Sequence, residues 1–338
     1  MTQNARLDLF QQEKEKQGFW LERKELAIEH PLSPEITITG VRDEQLDDVC
    51  EPASQPGIAS PSEPHPLYKP STCVMLKLIR GLHVGPNCWS QVWLTQRRPL
   101  RESEGADCVA KFVQEGLFPK PDSFCEGPEI CRATGLYRRE AQAYARMESI
   151  QGKIIPKSYG FYTFTLPGNQ MVQGHVMEYI DGTPLVHDYK SMRDGTWELP
   201  VAREERRRSM ISLVDAVYAI YALGVNHGDL RPSNVLQLRT DPVRYVIIDF
   251  GRASLIDVGR GRIRDQLSYG QREDRMGLWE CLCEIEEAEF VLEWMKECMT
   301  SEAPLTGLFQ KKEFLEYNAP RARGIEYRYR ESAKHYAI

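Results

Sequence analysis

Apolar positions fall into short alternating runs in the first half of the chain and into helical spacings later. Val74-Met75-Leu76-Lys77-Leu78-Ile79, Gln91-Val92-Trp93-Leu94 and Cys108-Val109-Ala110-Lys111-Phe112-Val113 read as three strands. Phe161-Tyr162-Thr163-Phe164 and His175-Val176-Met177-Glu178-Tyr179-Ile180 read as two more. Between them Leu136, Glu140, Ala143 and Met147 recur at i, i+4, i+7 and i+11. That spacing predicts a helix over Leu136–Ile150 with one carboxylate on its inward stripe. Farther along, Ile211, Val214, Tyr218 and Tyr221 predict a buried helix over Met210–Leu223. Two short β-type runs, Val235–Leu238 and Tyr245–Ile248, flank a turn at Thr240-Asp241-Pro242.

The two ends lack such patterns. Residues 8–29 mix Glu, Lys, Gln and Leu and predict an exposed, solvated helix that stops before Pro31. From Glu51 to Pro70, prolines and serines alternate, which is linker composition with no expected structure. From Arg321 to Lys334 five cations and two tyrosines predict a solvated basic tail.

Composition narrows the classes. Hydrophobic residues make up 41% and charged residues 27%, as in soluble globular proteins. A formal net charge of −6 argues against a dedicated nucleic-acid partner. No apolar run is long enough to span a bilayer, and the N-terminus has no signal-peptide core, so no membrane association is expected. The nine cysteines include no CxxC pair, and Cys281 and Cys283 would leave a helix on different sides. A zinc site is therefore not expected, and idle thiols point to an intracellular compartment, cytoplasm or nucleus.

The chemistry concentrates in two blocks, His227-Gly228-Asp229-Leu230-Arg231-Pro232-Ser233-Asn234 and Asp249-Phe250-Gly251. A loop, a hairpin and a second loop would bring Asp229, Asn234 and Asp249 to one edge, where phosphoryl transfer needs an acceptor-orienting carboxylate and two metal-binding oxygens. This spacing resembles the catalytic core of the protein kinase superfamily. The resemblance covers roughly residues 74–295. It implies an α+β, bilobal protein kinase-like fold with a small β-rich N-lobe and a larger, mainly helical C-lobe. The expected division is 1–70 (helix and linker), 71–180 (N-lobe) and 181–338 (C-lobe with extension). Residues 1–70 would then be dispensable for folding and nucleotide binding.

The resemblance also assigns roles. Val109-Ala110-Lys111 is similar to the family's third-strand element, so Lys111 would contact ATP phosphates, with Glu140 on the next helix as its partner. Gly85-Pro86-Asn87-Cys88-Trp89-Ser90-Gln91-Val92 lines up with the glycine-rich loop. Gly85, Asn87, Ser90 and Val92 would cover the nucleotide, with Trp89 at the tip. Val176-Met177-Glu178-Tyr179-Ile180-Asp181-Gly182 resembles the hinge, where Met177, Glu178 and Ile180 would meet adenine and Ala110 would line its pocket. Asp229 would orient the acceptor hydroxyl, Arg231 would steady transferring charge, and Asn234 and Asp249 would hold Mg²⁺, with Mn²⁺ as an alternative.

Some positions depart from the family. Gly228 stands where many members carry an arginine that reads a phosphorylated activation segment, so no such regulation is expected. Only 22 residues, Arg252–Glu273, lie between Gly251 and Asp274, with no Ala-Pro-Glu. Asp274 is expected to tie down the catalytic loop. An inserted loop with Pro119, Pro121, Cys125, Pro128 and Cys131 precedes the helix that carries Glu140. The expected function is an ATP-dependent phosphotransferase acting on an unidentified protein Ser or Thr. Two alternatives stay open: a scaffold with weak or no turnover, and a small-molecule phosphotransferase.

Overall fold

The computed structural model describes residues 21–43, 73–98, 107–119, 132–185, 200–240, 242–256, 270–286 and 290–294. The Pro/Ser linker, most of the inserted loop, the arginine-rich part of the segment after Ile256 and the basic tail lie outside the described residues. The chain divides into two compact units, one comprising Met1–Ile180 with Asp249–Leu255, the other Asp181–Ile248 with Ile256–Ile338. No helix among the described residues is long and apolar enough to cross a membrane.

The first unit is built on β1 (Thr37–Arg42), β2 (Cys73–His83), β3 (Gln91–Arg98), β4 (Asp107–Phe112), β5 (Ser158–Leu166) and β6 (Gln170–Glu178). They hydrogen-bond in the order β1-β2-β3-β4-β6-β5 and close into an antiparallel barrel. Alternation puts Val74, Leu76 and Leu78 of β2 inside, with Trp93, Ala110, Phe112, Phe164 and Val176 in the same core. β1 closes the barrel by pairing with both β2 and β5. Its Gly40 is required for this closure, since a Cβ there would lie 2.5 Å from the Phe164 ring.

This closed barrel corrects the expected bilobal protein kinase-like architecture. β1 lies before Val74, where the first strand was expected, and it is the strand that closes the barrel. The larger, mainly helical partner lobe is likewise not what the described residues form, since few of their elements are helices. Against residues 1–70 being dispensable for the fold, β1 lies within them and supplies two strand pairings. Residues 21–29 are helical as expected but docked rather than solvated. Arg23 Nη1 donates to Glu115 Oε2 at 2.8 Å, and Gln170 Nε2 donates to the Leu26 carbonyl at 3.2 Å.

Helix α1 (Ala133–Arg146) packs on the barrel's outer face and buries Leu136, Tyr137, Glu140, Ala143 and Tyr144. The second unit holds β7 (Gly182–Pro184), α2 (Pro200–Ala222), β8 (Val235–Leu238), β9 (Arg244–Ile247) and α3 (Gly270–Ile285). The strands form a three-stranded sheet ordered β9-β8-β7. The buried face of α2 is Met210, Leu213, Val214, Val217 and Ile220. Of the residues that predicted this helix, Ile211 and Tyr218 are exposed, so the helix is right and its phase is rotated.

Candidate phosphoryl-transfer site

In the first unit the register sets the chemistry. Lys111 on β4 lies opposite Val92 on β3 and His175 on β6, so these three side chains share the outer face, with Glu140 of α1 against Lys111 and His175. Val109, Leu94 and Met177 continue that face. Ala110 has the opposite parity and is wholly buried in the barrel core. The expectation that Ala110 lines an adenine pocket is therefore corrected; the apolar neighbour on Lys111's face is Val109.

Lys111 Nζ donates to Glu140 Oε2 at 2.8 Å and to Asp249 Oδ1 at 2.7 Å. Glu140 is 2% exposed whereas the Asp249 side chain is 38% exposed, so one ammonium joins a buried carboxylate to an accessible one. Burial on its own would depress the Lys111 ammonium, but Asp249 and then Glu140 more than offset it and raise it above the usual 10.5. Burial would likewise raise the Glu140 carboxyl, yet Lys111 and then His175 hold it below the usual 4.5. Both groups are charged at neutral pH.

Asp249 reaches Lys111 because residues 249–255 are pinned to α1. Phe250 is fully buried with its ring edge-on to Tyr144 at 5.7 Å, and Arg139 Nε donates to the Gly251 carbonyl at 3.0 Å. Asp249 itself takes φ +68, a left-handed conformation that a short polar residue tolerates.

The loop between β2 and β3 is closed by a residue that the sequence reading gave no role beyond its place in the motif. The Gln91 amide accepts from the Gly85 N–H and donates to the Gly85 carbonyl, both at 2.8 Å. Gly85 has φ +131 and Asn87 φ +65, so both positions need residues that accept positive φ. Ser90 is buried. The Trp89 ring lies edge-on to Phe118 at 5.1 Å, and the Cys88 N–H donates to the Leu117 carbonyl at 3.1 Å. At the other end of this unit, Met177 is buried and accepts from the Tyr144 hydroxyl at 3.8 Å. Glu178 Oε2 accepts from the Lys157 N–H at 3.0 Å, and Ile180, partly exposed, is the last residue before the second unit.

In the second unit, Asp274 on α3 anchors the loop as expected. Its carboxylate accepts from the His227 N–H at 2.6 Å, the Gly228 N–H at 2.8 Å and the Tyr221 hydroxyl at 3.1 Å. Burial nevertheless raises its pKa above the usual 3.8. His227 Nδ1 accepts from the Asp229 N–H at 3.2 Å, which makes Nε2 the protonated nitrogen that donates to the Ile248 carbonyl at 2.9 Å. Gly228 has φ +75, so glycine suits the backbone here as well as sparing a side chain. The buried Asn234 amide nitrogen donates to the Asp229 carbonyl at 2.9 Å. Arg231, 54% exposed, has its guanidinium 3.4 Å from Asp229 Oδ2.

Among the described residues no group of three or more His, Cys, Asp and Glu side chains gathers as a metal cage. Asn234 in the second unit and Asp249 in the first each carry a side-chain oxygen, the hard donor type that Mg²⁺ prefers.

No protein-family model matches the chain. One similar protein, described as "Putative cyclin-dependent kinase F-2" of Oryza sativa subsp. japonica, is 38% identical over 84 residues. The match covers 25% of this chain and 24% of that protein's own length. It supports a protein-kinase relationship at most.

Proposed function

We propose that the chain is an ATP-dependent phosphotransferase that moves the γ-phosphate to a hydroxyl, with protein Ser or Thr as acceptor. The observation that carries this reading is the Lys111 ammonium, buried between the Glu140 and Asp249 carboxylates at 2.8 and 2.7 Å. A lysine held charged and fixed in one place, with its second carboxylate accessible, suits the grip on nucleotide phosphates. Gly85, Asn87, Ser90 and Val92 would lie over the nucleotide, and Met177, Glu178 and Ile180 would meet its base. Mg²⁺, when bound through Asn234 and Asp249, supplies charge neutralisation for the phosphates. Asp229 orients the acceptor hydroxyl and takes its proton, while Arg231 offers a cation to the transferring group.

The test is transfer of radiolabel from ATP to generic protein acceptors by the full chain and by Asp229→Asn. Label transferred by the wild type, and lost in the variant with ATP affinity unchanged, is the expected result. Retained transfer in purified Asp229→Asn would reject the role of Asp229. ATP binding without transfer would make the chain a nucleotide-binding scaffold, and label found only on small hydroxyl compounds would change the acceptor class.

A further inference from the structure

His175 is a buried polar residue between Gly174 and Val176 on β6, and the proposed chemistry gives it no role. It is 1% exposed, directly opposite Lys111 in the β4–β6 register, and beneath α1. Its ring stacks on Phe161 at 4.0 Å and 8°, and meets Tyr144 edge-on at 4.5 Å. Nε2 is 2.9 Å from Ser158 Oγ, while Nδ1 faces Glu140 Oε1 at 3.6 Å. Both of those facing atoms are buried, and neither has another hydrogen-bond partner among the described residues. The carboxylate whose Oε2 holds Lys111 thus has its second oxygen aimed at an imidazole nitrogen.

We propose that His175 is a positioning residue for Lys111: anchored by Ser158 and clamped by Phe161 and Tyr144, it directs Nδ1–H at Glu140 Oε1 and fixes the carboxylate that orients the lysine. Buried polar atoms aligned in this way close to hydrogen-bond length at little cost, since the alternative is two unsatisfied groups. The outer partner sets the orientation of the inner one, as carboxylates and carbonyls do for metal-bound histidines. The charged and titratable groups facing the ring are Glu140 and Tyr144 from α1 and Lys111 from β4, with Asp249 beyond Lys111. Burial, only partly opposed by Glu140, keeps the imidazole pKa below the usual 6.5, so it acts as a neutral donor at pH 7. The ligand concerned is the nucleotide phosphate of the proposed reaction, and in that respect the inference rests on that reading.

The deciding measurement does not need activity. Amine acylation of the apo full-length chain, quantified per lysine by peptide mass spectrometry, reports how firmly Lys111 is held. His175→Phe keeps an aromatic ring without a donor and is expected to raise Lys111 labelling by about threefold or more relative to the other lysines. His175→Asn, whose amide nitrogen overlays Nδ1, should return labelling towards wild type. If His175→Phe does not fold, Ser158→Ala removes the anchor of the ring and should shift labelling the same way. Unchanged Lys111 labelling in a folded His175→Phe, or in Ser158→Ala, would overturn the proposal. ATP kinetics run in parallel separate the two readings. A higher KM for ATP in His175→Phe supports both, whereas a wild type that binds no ATP sinks the phosphotransferase reading and leaves the labelling result to decide on His175.

Discussion

Replacing Glu140 with Gln probes the buried charge cluster without opening a cavity. The amide keeps the carboxylate's volume but removes one of the two anions around Lys111, at a position 2% exposed. Breaking a buried pair by removing one partner costs about 3–5 kcal/mol. Asp249 remains 2.7 Å from Lys111, but its side chain is 38% exposed, so it offsets part of the loss and is screened. The expected destabilisation is therefore about 2–4 kcal/mol, or a fall in Tm of roughly 5–10 °C for a unit of this size. Circular dichroism during urea and thermal unfolding would measure it. The pH dependence carries a sign. The folded Glu140 carboxyl titrates below the usual 4.5, so its contribution is present above 4.5 and lost as pH falls through the lower folded value. The gap between wild type and Glu140→Gln should stay constant from about pH 7 to 5 and close below that. Lys111 has the opposite sign, with its contribution fully present below the usual 10.5 and lost as pH climbs through its raised folded value. A loss under about 0.5 kcal/mol at pH 7, the range of a surface substitution, would refute the buried pair.

Other perturbations test the frame around the site. A chain starting at Ser71 lacks β1 and the docked 21–29 helix, leaving β2 and β5 with unpaired edges; it should unfold or aggregate where the full chain is soluble, and a normal melting curve would contradict the closed barrel. Gly277→Ala would place a Cβ 1.6 Å from the Leu230 carbonyl oxygen. The expected cost of about 2–4 kcal/mol outweighs the roughly 1 kcal/mol that alanine adds to a helix. Chemical denaturation would measure that cost, and a neutral or stabilising result would show that α3 does not press on the loop bearing Asp229.

The Lys111–Glu140 pair was legible in sequence because both are charged residues at positions where packing favours apolar ones. Glu140 stood out as a carboxylate on an apolar helical stripe, and Lys111 as a cation inside a strand; the structure joins them at 2.8 Å. Asp274 tying down the 227–228 backbone was implied by the resemblance of residues 274–282 to the family's helix, and the hydrogen bonds are there. Other features were hidden for physical reasons. β1 is short and follows a proline-containing stretch, although Ile36 and Ile38 alternating with Thr37 and Thr39 was the available signal. Ala110 was misplaced through neglect of strand parity, which sends adjacent residues to opposite faces. The phase of α2 was drawn through Tyr218, which is exposed, when Met210, Leu213 and Val217 mark the buried side. Gln91 closes its loop through backbone atoms of Gly85, and a contact of that kind leaves no periodic trace. The fold class failed on two counts: β1 went unread and closes the barrel, and few of the described elements are helices.

The central claim is that Lys111, fixed by Glu140 and Asp249, is the cation that receives nucleotide phosphate. Isothermal titration of ATP into the full-length chain, with and without Mg²⁺, and into a folded Lys111→Met variant tests it most directly. Mg²⁺-dependent binding by the wild type, weakened by about tenfold or more in the variant, is the predicted result, since a lost charge-assisted contact is worth about 1.5–3 kcal/mol. A folded wild type that binds no ATP, or a Lys111→Met variant that binds it equally well, would contradict the account.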